Sequence, residues 1–276
     1  MKPAPPASLS VAAVQLSSQD NLDSNLAEVR VQVASARARG ASLVVLPENF
    51  AFMGGGEDKK RALAETIGDG PISRTLSALA KEHQLTIIGG GMPERSDDAD
   101  RPFNTLVAYG PSGDELARYR KVHLFDVDLA DGTKLRESDA TTAGDEPCVV
   151  DVAGVPVGLS ICYDLRFPEL YRRLVDKGAR VIVVPAAFTL TTGKDHWHVL
   201  LRARAIENQV FVVAAAQWGK HPQGRATYGK SLVCDPWGDV LSQAPEGIGL
   251  AMATLDFARQ DAVRAQLPCL GHRRLG

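Results

Sequence analysis

Residues 148–178 read CVVDVAGVPVGLSICYDLRFPELYRRLVDKG. Two short apolar runs, rich in β-branched residues, flank Ala153–Gly154, so the stretch up to Cys162 reads as a β-hairpin turning at that dipeptide. Its second arm breaks off at Cys162, where polar and charged side chains take over. FPELYRRLVDKG then has helical spacing closed by Gly178, and RVIVVPAAF (180–188) follows as another buried strand. Strand, helix and strand in direct succession point to a layered α/β fold. They also leave a cysteine at a strand-to-helix junction.

The alternation extends in both directions. LSVAAVQLS (9–17) reads as a strand, residues 21–39 as an amphipathic helix closed by Gly40, and SLVVLPE (42–48) as a strand stopped by Pro47. A helix runs from Pro71, a residue suited to a first helical position, to about Gln84. LTIIGGG (85–91) and NTLVAYGP (104–111) are further strands, and GDELARYRK (113–121) is the return arm of a hairpin. Periodicity is then lost from Val122 to Pro147, a long connection whose apolar Leu124, Phe125 and Val127 argue that it is packed. Beyond the central hairpin come a helix at DHWHVLLRARAIENQ (195–209), a strand at VFVVAAAQ (210–217), further strands in KSLVCDPWGDVLSQ and GLAMATLD, a short helix and a basic tail. No Ser/Gly-rich linker divides the chain. The expectation is one domain over residues 8–274, with residues 1–7 as a flexible extension.

Composition narrows the function classes. A net charge of −2 gives no electrostatic reason to expect nucleic acid or an anionic membrane as partner. The apolar runs are too short to span a bilayer, and MKPAPPASLS lacks the apolar stretch of a secretory signal. The four cysteines, at 148, 162, 234 and 269, form no C-x-x-C pair. Reduced thiols in a cytoplasmic protein are the simplest reading, with neither metal nor cofactor expected.

Three positions join a reactive group to the end of an apolar strand. Glu48 follows SLVVLP, where partial desolvation would favour a base working near neutral pH; a solvated strand end is the plainer alternative. Lys121 shares a strand face with Ala117 and Tyr119 while Arg118 and Arg120 face the other way, so it can point inward or belong to a surface basic cluster. Cys162 is either a buried structural cysteine or a nucleophile whose thiol is acidified by free N–H groups at a helix start. GLSIC is not a G-x-S-x-G elbow, since Cys162 takes the place of the last glycine. His196 and His198, two apart on a helix, cannot share a metal as an i, i+4 pair would. The GGG runs at 54–56 and 89–91 lack phosphate-loop spacing and read as turns or close-packing sites.

Taken together and in order, LVVLPENF with Glu48, YRKVHLFD with Lys121 and SICYDLRFPEL with Cys162 resemble the nitrilase (carbon–nitrogen hydrolase) superfamily over nearly the whole chain. The resemblance implies a four-layer αββα sandwich and a Glu-Lys-Cys triad acting on a small-molecule amide, in subunits that pair through helices as homodimers or higher homo-oligomers. By that resemblance Cys162 is the nucleophile and Glu48 the base, while Lys121 and the Tyr163 N–H stabilise the oxyanion. Glu137, in LRES, supports the lysine and the substrate. AFTLTTGKDHWHVLLRARAIENQ and VVAAAQWG are similar to the Nit subfamily, and AAAQ with RATYGKSLVCDPWG to its deaminated glutathione amidase branch. The sister branch, the ω-amidases, and N-carbamoyl amide or nitrile hydrolases are the neighbouring alternatives; a catalytically silent scaffold is the alternative of another class. Both Nit branches act on a 2-oxo acid, so the resemblance implies a carboxylate site, for which Arg166, Phe188 and Thr192 are the candidates. A surface ion pair of Arg166 with Asp164 or Glu169 is the alternative there.

Overall fold

The computed structural model describes residues 6–128 and 134–275; most of the expected N-terminal extension, residues 1–5, lies outside them, as does part of the long connection. In chain order the first half runs β1 (Ser8–Gln15), α1 (Leu22–Ala38), β2 (Leu43–Val45), α2 (Glu57–Ala62), α3 (Pro71–His83), β3 (Thr86–Glu94), β4 (Phe103–Tyr109) and β5 (Glu115–Arg120). The connection after β5 carries β6 (Asp126–Asp128), β7 (Lys134–Arg136) and a 3-10 turn over Glu137–Asp139. The second half begins with β8 (Val149–Val152), β9 (Val155–Leu159), a 3-10 turn over Cys162–Arg166, α4 (Pro168–Asp176) and β10 (Val181–Val183). It continues with α5 (Leu190–Asn208), β11 (Phe211–Ala214), β12 (Trp218–Lys220), β13 (Ala226–Tyr228), β14 (Leu232–Cys234), β15 (Val240–Gln243), β16 (Gly249–Asp256) and α6 (Phe257–Gln266).

Local chemistry sets several boundaries. The Asn21 side chain accepts the Ser24 N–H at 2.9 Å and caps α1, and Pro71 starts α3 where its missing N–H costs nothing. Helix α5 begins at Leu190, earlier than the expected start at Asp195. The added turn contains Gly193, the point at which α5 passes so close to Tyr228 that a Cβ would lie 2.3 Å from the tyrosine's own.

The strands form two six-stranded sheets, in the orders β16-β1-β2-β3-β4-β5 and β15-β14-β11-β10-β9-β8. Period-two alternation sorts their side chains between two apolar layers. Val11, Ala13, Leu43, Val45, Ile88, Leu106 and Ala108 of the first sheet join Val157, Leu159, Val181 and Val213 of the second in one core. Their neighbours Ala12, Val14, Val44, Ile87 and Val107 face the opposite way, onto Leu26, Val29 and Val33 of α1 and Ile72 and Leu76 of α3. Helices α4 and α5 cover the second sheet through Leu174, Trp197 and Leu201. This is the expected αββα sandwich.

Within each sheet three strands run parallel, β1-β2-β3 and β9-β10-β11. Strand β5 is two antiparallel steps from β3 and so points the same way. Ligand sites in α/β folds form beyond the carboxyl ends of such strands. Glu48 lies just past β2, Lys121 just past β5, Cys162 just past β9 and Phe188 just past β10.

The glycines at 89–91 form an irregularity in β3, where the register with β4 shifts between Gly89 and Met92. Gly91 has φ +70°, and its carbonyl accepts the Asn49 N–H at 2.9 Å. A Cβ on Gly90 would sit 2.0 Å from Pro185 Cβ and 2.5 Å from the Leu46 carbonyl, between the two segments that carry Glu48 and Ala187. Gly90→Ala is therefore expected to destabilise the fold by roughly 1–3 kcal/mol through overpacking. Urea unfolding midpoints at constant m-value would report it; an unchanged midpoint would show that the two segments can part at no cost.

Candidate active site

Lys121 is 2% exposed, and its alternation with Tyr119 does point it inward. Its ammonium donates to Glu48 Oε1 at 3.0 Å and to Glu137 Oε1 and Oε2 at 3.1 and 2.8 Å. Burial alone would depress the ammonium's pKa, but Glu137 and Glu48 outweigh it and hold it well above the usual lysine value. Burial would likewise raise Glu137, yet Lys121, Lys60 and a 2.7 Å hydrogen bond from the Phe125 N–H hold it at about 2. Glu48 Oε2 accepts the Ala187 N–H at 3.0 Å, and Asn104 Nδ2 donates to both carboxylates, at 3.0 Å to Glu48 and 3.2 Å to Glu137. The result is a fixed ammonium between two fixed carboxylates.

Cys162 opens the 3-10 turn at φ +47°, a left-handed conformation that a non-glycine residue adopts only under constraint. Although the residues do not spell G-x-S-x-G, the backbone makes the same kind of strained strand-to-turn junction. The Cys162 N–H is occupied, donating to the Pro185 carbonyl at 2.8 Å, and the turn's own bonding starts with Asp164 N–H to Ile161. The Tyr163 N–H lies between them, in the part of a helix start that has no partner along the chain.

The expected acidification of the thiol is overturned. Burial and the Glu48 carboxylate push Cys162 well above the usual thiol value, more strongly than Lys121 pulls it down. A five-residue 3-10 turn does not offset removal from water beside an anion, and both effects favour the thiol over the thiolate.

Glu48, Lys121, Glu137, Cys162 and Tyr163 line a cavity of about 440 Å³, which Arg166, Phe188 and Thr192 also line. Arg166 pairs with neither Asp164 nor Glu169 among the described residues. Its guanidinium donates to His196 Nδ1 at 3.2 Å and lies 5.1 Å from the centre of the Phe188 ring. Phe188 is held in turn against Trp197, with ring centres 5.0 Å apart, and the Thr192 hydroxyl is 2.8 Å from that of Thr189.

Residues 10–265 match the family described as carbon–nitrogen hydrolase. The chain belongs to that family. It is 47% identical over 265 residues to a deaminated glutathione amidase of Synechocystis sp., covering 95% of this chain and 97% of the relative. Among solved structures, the NitFhit protein of Caenorhabditis elegans superposes with a TM-score of 0.92 at 38% identity, covering 99% of this chain and 66% of that one. Nit3 of Saccharomyces cerevisiae, a member of branch 10 of the nitrilase superfamily, superposes with a TM-score of 0.87 at 32% identity and 98% coverage of both.

In this carbon–nitrogen hydrolase several residues that serve the cluster carry no signal in the sequence. Asn104 is one polar residue at the head of an apolar strand, and Ala187 contributes only its backbone. Gln217 Nε2 donates to the Glu48 carbonyl at 3.1 Å and to Ser18 at 2.9 Å. Asp164, fully buried, accepts from the Ile161 N–H at 2.8 Å, the Tyr119 hydroxyl at 2.7 Å and the His123 N–H at 3.1 Å. His123 stacks on Phe167 with ring centres 3.8 Å apart. Asp164 thus ties the cysteine turn to the segment that carries Lys121.

Removing the Glu48 charge should bring the Cys162 pKa down, because Glu48 raises it while Lys121 lowers it. Glu48→Gln is therefore expected to alkylate faster than wild type with iodoacetamide between pH 7 and 9, its rate climbing at lower pH. Peptide mass kinetics at Cys162 would check this; a slower or unshifted profile would contradict it.

Proposed function

We propose that the chain is a thiol amidase that hydrolyses the ω-amide of a small 2-oxo acid, with deaminated glutathione as its substrate. The observation that carries the reading is one buried cluster, Glu48–Lys121–Glu137, set beside Cys162 on the floor of a cavity that also presents Arg166. The identity to a deaminated glutathione amidase supports the substrate.

In this mechanism Arg166 grips the carboxylate of the 2-oxo acid and Phe188 and Thr192 shape the chain between it and the amide. As Cys162 Sγ attacks the amide carbon, its proton passes to Glu48, so the thiolate exists only in the act of attack. The oxyanion forms against the Lys121 ammonium and the Tyr163 N–H. Glu48 hands the proton to the nitrogen, the C–N bond breaks and Cys-Gly leaves as an amine. Glu48 then takes a proton from water as it attacks the thioester and returns that proton to the departing Cys162 sulfur, which releases 2-oxoglutarate and restores the thiol. Glu137 never enters the proton traffic. It keeps Lys121 compensated while Glu48 alternates between charged and neutral.

A single domain over residues 8–274 and a cytoplasmic homodimer complete the proposal. Exposed Val199, Ile206 and Trp237, on α5 and near β15, support pairing through that face. Among the described residues no helix is long and apolar enough to cross a membrane. The complete cluster of Glu48, Lys121 and Cys162 argues against a silent scaffold, which has no use for a buried ammonium beside a strained thiol.

Steady-state hydrolysis of deaminated glutathione and of 2-oxoglutaramate, with Cys162→Ala as blank, tests the reading. A kcat/KM at least about a hundredfold higher for deaminated glutathione, about 2.7 kcal/mol of transition-state discrimination, is the expected outcome. Glu48→Gln should lose about 10²–10⁴-fold in kcat. The reverse preference would assign an ω-amidase, and no turnover of either would overturn the substrate class.

A further inference from the structure

A second lobe of about 490 Å³ adjoins the catalytic cavity, and Asn49, Lys60, Lys134, Thr189 and Arg225 are among the residues lining both. Its outer wall is made where the Gly54–Gly56 run meets the turn at Pro222–Gly224. Gly54 has φ +88°, and a Cβ there would lie 2.8 Å from Pro222 Cβ, so a bare backbone is what lets the two segments close. That accounts for one of the GGG runs that fits no phosphate loop.

The lobe carries three cations, Lys60, Lys134 and Arg225, against one acid, Glu57. Lys134 has Asp128 at 3.3 Å. Among the described residues Lys60 and Arg225 have no ion-pair partner, and Arg225 Nε is buried with no hydrogen-bond acceptor. Buried guanidinium N–H groups are satisfied in nearly all native proteins, and a carboxylate is the acceptor that fits their fork.

Resting on the substrate reading above, we infer that Arg225, assisted by Lys60, binds the C-terminal carboxylate of the departing dipeptide. Deaminated glutathione has one carboxylate on each side of the scissile amide. Arg166 takes the one retained in the thioester, and a cation in the adjoining lobe is needed for the one that leaves. A primary ω-amide, whose leaving group is ammonia, places nothing in this lobe. Arg225 is then a specificity-determining residue of the leaving-group side.

The experiment compares three substrates: deaminated glutathione, its C-terminal carboxamide, and 2-oxoglutaramate. For the wild type, the carboxamide is expected to lose about tenfold to a hundredfold in kcat/KM, mostly through KM, as befits one lost charge-assisted pair. Arg225→Gln should impose a similar loss on deaminated glutathione while leaving the other two within about twofold, and Arg225→Lys should restore part of it. Equal use of acid and carboxamide by the wild type would overturn the inference without any variant. So would a uniform loss on all three substrates in Arg225→Gln, since that marks a structural role. Turnover of 2-oxoglutaramate with none of deaminated glutathione would overturn the substrate reading itself, and this inference with it. The two failures are distinct.

Discussion

The Lys121 ammonium, enclosed between Glu48 and Glu137, is the constraint on which the rest of the site depends. Removing such charges from water costs several kcal/mol per ion, recovered only when each finds its partners in good geometry. Three chain segments must therefore meet within hydrogen-bond distance: the end of β2, the end of β5 and the 3-10 turn after β7. Asn104, Ala187 and Phe125 satisfy the remaining carboxylate oxygens. Stability comes from the two apolar layers on either side of the first sheet, and the cluster draws on it. In the proposed mechanism its return is chemical, because one ammonium with two carboxylates stays compensated when one of them accepts a proton.

Burial has a second consequence at Cys162. The same water-poor surroundings that strengthen the Lys121 pairs make a resting thiolate unfavourable, and the nearby Glu48 carboxylate adds to this. A left-handed cysteine costs of the order of 1–3 kcal/mol and persists only where its surroundings dictate it. Here they do, through the Pro185 carbonyl and through Asp164, which binds Ile161, Tyr119 and His123 at once. Position and protonation are thus set separately: the turn aims the sulfur and, in the proposed mechanism, the base releases it only when an electrophile is present.

The cavity extends this division of labour to substrate choice. In the proposed mechanism the inner lobe, with Cys162 and Arg166, does the chemistry; Lys60, Lys134 and Arg225 stand where it opens into the adjoining lobe, and glycines form part of that lobe's wall. On the inference drawn above, a change at Arg225 alters which leaving group is accepted, whereas Lys60 also acts on the buried Glu137 carboxylate.

Much of this was legible along the chain because it is local. Period-two alternation sorted Tyr119 and Lys121 from Arg118 and Arg120, prolines and glycines marked where strands and helices stop, and the polar residues abutting apolar runs marked Glu48 and Cys162. What the sequence by itself determined is the series of elements and the reactive groups at their ends. Only the tertiary structure decided which ends meet: the Glu48 bonds to Lys121 and Ala187 span 73 and 139 residues, distances set by sheet order and by two sheets packing face to face. The same holds for Asn104, Asp164 and Arg225, ordinary polar residues until folding removes water from around them. The protonation of Cys162 went against the local reading for that reason too, since desolvation belongs to the assembled core and not to the turn that bears the sulfur.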